Sequence, residues 1–259
     1  MLGFAFGFRL LVLLVAIAFI SGIGITTLGP GGIFVTIALY SLTSVSSGVV
    51  AGTAQATFIA TGFVGSIAYA YSGELTSDHT RIMALILSVS SLIGAFLGAY
   101  LNAFVPRPIF GLLLGAVATL TGATIIYREA RELRPLFKLK TTVWQGRVGL
   151  GILGFTLGIA SGLLGVGGPV LAVPALVLID VPMLKAVAIA QVQSIFIALF
   201  ATTGYALQGD VSLPLATVIG IPLLIGTLTG WKVAHLINPA KLKVALGFIL
   251  AAVGPYLAL

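Results

Sequence analysis

Residues 160–178 read A-S-G-L-L-G-V-G-G-P-V-L-A-V-P-A-L-V-L, and this stretch decides the fold. Glycines interrupt an apolar run, and the apolar segment after them has only half of the roughly 20 residues that a membrane span needs. Because glycine destabilises the interior of a helix, we expect the helix to break here. A weaker copy of the pattern occupies residues 21–42. The sequence therefore predicts that function is concentrated at a doubled break.

Composition identifies the class of protein. Hydrophobic residues make up 59% of the 259 residues and charged residues 7%, and the mean hydropathy is +1.20. A soluble domain carries about 25% charged residues, so we predict an integral membrane protein with an all-α fold. The sequence contains no cysteine, which excludes a disulfide or a thiolate metal site.

Eight apolar stretches are long enough to cross a hydrocarbon core of about 30 Å as helices. They are residues 10–27, 49–71, 82–105, 109–127, 148–166, 186–207, 213–237 and 242–259. Two further stretches, 33–42 and 170–179, are about half as long and are predicted to be half-helices. The first stretch is interpreted as a span and not as a signal peptide, because it is long and a later segment matches it.

The chain contains an internal repeat. An offset of 136 aligns five positions of the first half with five of the second: Gly31, Gly32, Gln55, Tyr69 and Glu74 fall on Gly167, Gly168, Gln191, Tyr205 and Asp210. Each half has five apolar segments, and an odd number of crossings makes the repeats inverted. Eight spans plus two re-entrant segments are the alternative topology.

The distribution of positive charge predicts the orientation. Six of the thirteen Lys and Arg residues lie in the one long polar connection: Arg128, Arg131, Arg134, Lys138, Lys140 and Arg147. By the positive-inside rule this connection is cytoplasmic, and it explains the net charge of +7 without a nucleic acid partner. We therefore predict an N-terminal transmembrane repeat over 1–127, a basic cytoplasmic linker over 128–147 and a C-terminal repeat over 148–259. Arg9 and Arg107 fit less well, because inverted repeats place them outside.

The glycine breaks are the predicted binding site for a small anion. An extended glycine stretch can reach the membrane interior, and proline suits the first turn of the helix that comes next. Free N–H groups and the positive end of the helix dipole favour an anion there, and glycine lets a ligand approach the backbone. The substrate-binding residues predicted at the breaks are Gly31, Gly32, Gly165, Gly167, Gly168 and Pro169.

Polar side chains inside two long helices complete this predicted set. Gln55 and Gln191 lie about two turns into their helices, roughly 10 Å below the surface. Their amides can donate to an oxyanion or bond to neighbouring helices. The same turns contribute Thr57, Gln193 and Ser194. The regularly spaced glycines elsewhere are attributed to close helix packing: Gly94, Gly98, Gly154, Gly158, Gly162, Gly226 and Gly230.

Residues 162–176, G-L-L-G-V-G-G-P-V-L-A-V-P-A-L, resemble the sulfite exporter TauE/SafE family of membrane permeases. The two homologous halves and the basic central loop add to the resemblance. The first half departs from the pattern, because Ala38 stands where Pro174 falls and the glycines are four residues further apart. The resemblance implies a multi-pass protein of the cytoplasmic (inner) membrane that exports small sulfur-containing anions such as sulfite or sulfoacetate.

The charge inventory favours export driven by the membrane potential. All six acidic residues fall in predicted loops or interfaces, which leaves no carboxylate in mid-membrane to carry a proton: Glu74, Asp78, Glu129, Glu132, Asp180 and Asp210. An anion leaving a cell that is negative inside gains about 2.3 kcal/mol per charge per 100 mV. Lys232 is the candidate cation at a cavity mouth, and His235 is interpreted as an interfacial residue.

Other classes of function make different demands on the sequence. A membrane enzyme needs a nucleophile and base or a set of metal ligands, which two scattered histidines do not supply. We therefore expect no catalytic residue, cofactor or metal. A structural or assembly subunit of a membrane complex is one alternative, and a permease for another small anion or a neutral solute is a second. The sequence does not predict an oligomeric state.

Overall fold

The computed structural model describes residues 7–131, 143–236 and 239–258, and all regular structure in these residues is helical. Its ten α-helices are α1 Phe8–Thr27, α2 Ile33–Leu42, α3 Ser47–Tyr71, α4 Asp78–Asn102, α5 Arg107–Arg131, α6 Trp144–Leu164, α7 Gly168–Leu178, α8 Met183–Leu207, α9 Leu213–Leu236 and α10 Pro239–Ala258. Seven of them are long and apolar enough to cross a membrane. The protein is therefore a multi-pass helical membrane protein, as composition predicts.

The two halves interlock. The most extensive contacts join helices of different halves: α1 packs on α9, α4 on α6, α3 on α8, and α5 on α10. A two-fold relation between α1–α5 and α6–α10 produces these pairings, since it exchanges the first two and maps the last two onto themselves. The packing therefore agrees with the repeat that the sequence predicts.

Equivalent helices of the two halves run in opposite directions. Gly52 near the start of α3 faces Tyr205 near the end of α8, whereas Gly65 of α3 faces Gln191 near the start of α8. In α5 and α10, a Cβ placed on Gly115 would overlap the carbonyl oxygen of Gly254, and one placed on Gly122 would overlap that of Gly247. These antiparallel contacts support the predicted inverted topology, which stays a prediction with respect to the membrane.

Glycines allow close approach between the paired helices. A Cβ built on Gly94 would overlap the carbonyl oxygen of Phe155, and one on Gly226 would overlap that of Phe19. No side chain fits at either position without moving a helix backbone. The predicted packing role of these glycines is confirmed.

Gly94→Ala is expected to destabilise the protein by about 1–3 kcal/mol, because the new methyl group overlaps the backbone of α6. The measurement is the thermal unfolding of the purified protein in detergent. Gly151→Ala on α6 is the matched control, since nothing lies within 4 Å of the Cβ it adds. Equal loss of stability in both variants would contradict the assigned packing role.

The two breaks are built differently. In the second break, residues 165–167, Gly165 has a left-handed φ of +64° and ends α6, and Pro169 then occupies the first turn of α7. The predicted half-helix begins at Gly168, two residues earlier than expected. In the first break, residues 28–32, the chain is not extended, since Pro30–Gly32 forms a 3-10 turn that leads into α2. The fixed φ of proline starts helical geometry at once. The half-helix predicted at 33–42 is confirmed.

Candidate functional site: the paired glycine breaks

The two breaks contact each other, although they are far apart in sequence. A Cβ built on Gly32 would lie 3.0 Å from the carbonyl oxygen of Val166, and one on Gly29 would lie 3.1 Å from that of Pro169. The hydroxyl of Thr36 in α2 donates a hydrogen bond to the carbonyl oxygen of Gly165. The breaks therefore meet at one place inside the helix bundle.

This meeting point lies at the level of the middle of α8. A Cβ built on Gly168 would lie 3.0 Å from the Cα of Ser194, which is the twelfth of the 25 residues of α8. Helix α7 thus begins halfway along a helix that is long enough to span a membrane. Its first-turn N–H groups have no partner within the helix itself.

Gln55 and Gln191 flank the breaks at equivalent positions. Nε2 of Gln55 donates to the carbonyl oxygen of Ser161 at 2.6 Å, and Nε2 of Gln191 donates to that of Ile25 at 3.3 Å. Each carbonyl belongs to the end of a helix that precedes a break in the opposite half. The amides therefore add a hydrogen bond to carbonyl oxygens in the last turns of these helices, and the one of Ser161 also accepts from the backbone N–H of Gly165 at 2.9 Å. The structure places them on either side of the contact between the breaks.

Four amide atoms of buried glutamines make no hydrogen bond within the described residues. They are Oε1 of Gln55, Oε1 of Gln191, and both amide atoms of Gln193. All three side chains are almost fully buried. A buried polar group without a partner costs about 1–3 kcal/mol. These atoms can therefore gain stability from water, from a bound solute or from a different arrangement of the helices.

Not every predicted site residue reaches the breaks. Thr57 of α3 faces α9, because a Cβ on Gly220 would lie 3.6 Å from the Thr57 methyl group. Gln193 lies three helical turns before Gly204, which packs on Ala99 of α4, so Gln193 faces α4 as well. Gly31 and Gly165 belong to the breaks themselves, but a side chain on Gly31 would point back to α1 and one on Gly165 would point to Ala51 of α3. The predicted residues at the meeting point are Gly32, Gly165, Gly167, Gly168, Pro169 and Ser194.

Two tyrosines hold the same helix ends as the glutamines. The hydroxyl of Tyr205 donates to the carbonyl oxygens of Gly162 at 2.8 Å and Leu163 at 3.1 Å, and that of Tyr69 donates to the carbonyl oxygen of Thr26. The repeat aligns this pair, but sequence alone assigned it no role. The signal was a polar aromatic residue kept in register inside two apolar helices.

Glu74 and His235 close one end of the bundle. Oε1 of Glu74 lies 3.0 Å from Nε2 of His235 in α9, and Trp231 donates through Nε1 to the hydroxyl of Ser72 at 3.2 Å. Burial alone raises the pKa of the Glu74 carboxyl, but hydrogen bonds from Ser72 and His235 hold that pKa below its ordinary value. The adjacent Lys232 is exposed, so the cation expected at a cavity mouth does not reach the breaks.

A cleft of about 510 Å³ opens at the opposite end, between the α2–α3 and α8–α9 connections. Its polar lining includes Ser44, Ser46 and Ser212. Asp210, the repeat equivalent of Glu74, contacts Gly48 beside this cleft. Burial raises the pKa of the Asp210 carboxyl, and a hydrogen bond with Ser46 lowers it in part.

Arg107 has a structural reason to depart from the positive-inside pattern. Its Nη2 donates to the carbonyl oxygens of Tyr40 at 2.7 Å and Thr43 at 2.8 Å, which lie at the end of α2. The guanidinium carbon also lies 4.7 Å from the centre of the Tyr40 ring. A cation is favoured at the negative end of a helix dipole. Arg107 thus fixes the end of the half-helix α2.

The fold and the paired breaks define a multi-pass membrane protein with one broken helix in each of two interlocked halves. Comparison with known families then identifies it. The family model described as sulfite exporter TauE/SafE matches residues 78–257, and the chain belongs to this family. The match includes the second break but not the first. Among the described residues, no group of three or more His, Cys, Asp or Glu side chains could hold a metal ion.

Two curated relatives are named as transporters. The probable membrane transporter protein YdhB of Bacillus subtilis is 25% identical over 242 residues, which cover 91% of this chain and 95% of that protein. A probable membrane transporter protein of Methanocaldococcus jannaschii is 32% identical over 117 residues, and this match covers 42% of this chain and 44% of that protein. No solved structure gives a significant match. The protein is thus a membrane transporter of the TauE/SafE type.

Proposed function

We propose that this transporter exports a small sulfur-containing anion, sulfite or an organosulfonate, across the cytoplasmic membrane. The observation that carries the proposal is the start of α7 at mid-bundle, where Gly168 packs on Ser194 and the two breaks meet. Backbone N–H groups at a helix start bind oxyanions, and the dipole there is positive. The family name supports the substrate class, and the two curated relatives support transport.

In this proposal the predicted residues have different roles. The N–H groups at the start of α7 and the hydroxyl of Ser194 bind the anion directly. Gln55 and Gln191 each keep one N–H free after bonding to a helix end, so they can bind the anion and hold the helix ends at the same time. Gln193 and Thr57 face neighbouring helices and contribute when those helices move. Binding and helix movement are thereby linked.

The membrane potential is the proposed driving force. Of the acidic side chains that the structure describes, Glu74, Asp180 and Asp210 lie in connections and Asp78 is the first residue of α4. This distribution supports transport without a proton carrier in mid-membrane. An anion that leaves a negative cell interior gains about 2.3 kcal/mol per charge per 100 mV.

The two ends of the bundle suggest how access alternates. If the basic linker is cytoplasmic, the Glu74–His235 contact closes the inner end and the cleft beside Asp210 opens to the outside. Glu74 and Asp210 are repeat equivalents, so an inverted repeat can exchange the two arrangements. In the inward-open state the Glu74–His235 contact breaks and the cleft closes.

Efflux from proteoliposomes tests the substrate class. Liposomes loaded in turn with sulfite, sulfoacetate, sulfate or acetate are diluted into anion-free buffer, and the released anion is measured by ion chromatography. We expect sulfite or sulfoacetate to leave faster than sulfate and acetate, and faster than from protein-free liposomes. Selective release of acetate or sulfate would assign another anion. No protein-dependent release of any of them would favour a structural or assembly subunit.

A further inference from the structure

Phe58 of α3, which the sequence pattern does not single out, lies between the two breaks. A Cβ built on Gly32 would lie 3.3 Å from Cζ of Phe58, and one built on Gly167 would lie 3.2 Å from Cδ2 of the same ring. The side chain is 2% exposed and is the twelfth of the 25 residues of α3. One edge of the ring therefore faces the first break, and another faces the second.

The repeat equivalent of Phe58 is Ser194, because the offset of 136 carries one position onto the other. The two residues hold equivalent places, since Phe58 packs on Gly32 at the end of the first break as Ser194 packs on Gly168 at the start of α7. The same place thus carries an apolar ring in one half and a hydroxyl in the other. Symmetry that the repeat imposes on the backbone is absent from the side chains.

The electrostatics of the two breaks also differ. The first break faces carbonyl oxygens, those of Val166 at Gly32 and Pro169 at Gly29. Carbonyl oxygens repel an anion. In α2 the hydroxyl of Thr36 already donates its hydrogen bond to the carbonyl oxygen of Gly165. The start of α2 is therefore a less favourable site for an anion than the start of α7.

We propose that Phe58 is the central barrier of the translocation path and the residue that sets the size of the anion that passes. This inference rests on the proposed function. The ring covers the first break, confines the anion to the Ser194 side of the second break and must turn aside before the anion crosses. A smaller side chain at position 58 therefore widens the path, and a ring at position 194 blocks it.

The first test measures the flux of sulfite and of the larger sulfoacetate in the unaltered protein and its variants. Phe58→Ser copies the residue of the other half and is expected to raise the ratio of sulfoacetate to sulfite flux by about tenfold, the size of effect that one small group has in an apolar pocket. Ser194→Phe is expected to stop both fluxes. Phe63→Ser is the matched control, because Phe63 lies on the same helix but is 52% exposed. Phe58→Leu replaces Phe58→Ser if the serine variant does not fold.

A second test measures access past Phe58 to position 194 and does not depend on the identity of the substrate. The sequence has no cysteine, so Ser194→Cys supplies a single thiol at the second break. Its rate of labelling by a membrane-impermeant methanethiosulfonate is compared in three backgrounds: unchanged at position 58, Phe58→Leu, and Phe63→Ser. We expect labelling to be faster only with Phe58→Leu.

The two tests separate failure of this inference from failure of the proposed function. If the unaltered protein carries sulfite but the ratio and the labelling rate do not respond to position 58, Phe58 is not the barrier. If no anion is carried and labelling still accelerates in Phe58→Leu, the barrier stands and the proposed substrate is wrong. Equal labelling in all three backgrounds would overturn the inference in either case.

Discussion

Replacing Gln55 and Gln191 together with leucine is expected to reduce sulfite flux by about 100-fold. Each amide bonds to the end of a helix that precedes a break, and each keeps one N–H free for the anion. Losing one buried hydrogen-bonding group costs about 1–3 kcal/mol, and about 1.4 kcal/mol corresponds to a factor of ten. Two such losses give the stated effect. Flux is measured in proteoliposomes at matched protein content, and each single variant is expected to lose about tenfold.

Gln208→Leu is the control for this experiment. The amide of Gln208 also bonds to another helix, to the carbonyl oxygen of Ala99 in α4 at 3.3 Å, and it bonds to the carbonyl oxygen of Gly204 in its own helix at 2.9 Å, but it lies at the end of α8 away from the breaks. Its loss removes one interhelical hydrogen bond and leaves the proposed site intact. Comparable loss of flux in Gln208→Leu and in the double variant would show that the glutamines act only as packing residues.

Gly167→Ala is expected to give the second large effect, loss of most of the flux together with a lower melting temperature. Gly167 has a φ of +78°, and a Cβ added there would lie 3.2 Å from the Phe58 ring. With a ψ of 154°, this backbone conformation is essentially restricted to glycine and costs another residue about 1–3 kcal/mol, and contact with the ring disturbs the meeting point of the breaks. Flux and thermal unfolding are measured on the same preparations.

Gly73→Ala separates the backbone effect from the contact. Gly73 has a φ of +94°, and nothing lies within 4 Å of an added Cβ. Both variants therefore carry backbone strain, but only Gly167→Ala meets Phe58. We expect Gly73→Ala to lose stability and to keep most of its flux. If both variants lose flux equally, the environment of Gly167 has no special role.

Much of the fold could be predicted from local sequence. Segment length and apolarity identify the spans, and glycine-rich breaks identify the half-helices, because these depend on neighbouring residues only. The repeat offset of 136 that the sequence shows also relates contacts in the structure, since Gln55 bonds to residue 161 and Gln191 to residue 25, which are themselves 136 apart. The first break was expected to be extended, and Pro30 instead begins a 3-10 turn.

What the sequence could not predict depends on contacts between the halves. Phe58 is one of 15 phenylalanines in an apolar chain, and only the three-dimensional packing places its ring between Gly32 and Gly167. Arg107 counted against the predicted topology until its contacts with the end of α2 were known. Thr57 and Gln193 share helical turns with the glutamines, but a helix turns by about 100° per residue, so they face other helices.

The most direct measurement is sulfite flux in proteoliposomes under an imposed potential, with the same pH on both sides. The proposal predicts that flux through the unaltered protein rises when the potential pulls the anion across and falls when it is reversed. It also predicts that the variant with both Gln55→Leu and Gln191→Leu shows neither response. Flux that tracks a pH gradient and ignores a clamped potential would contradict potential-driven export, and the absence of sulfite flux at either potential would contradict the proposed function itself.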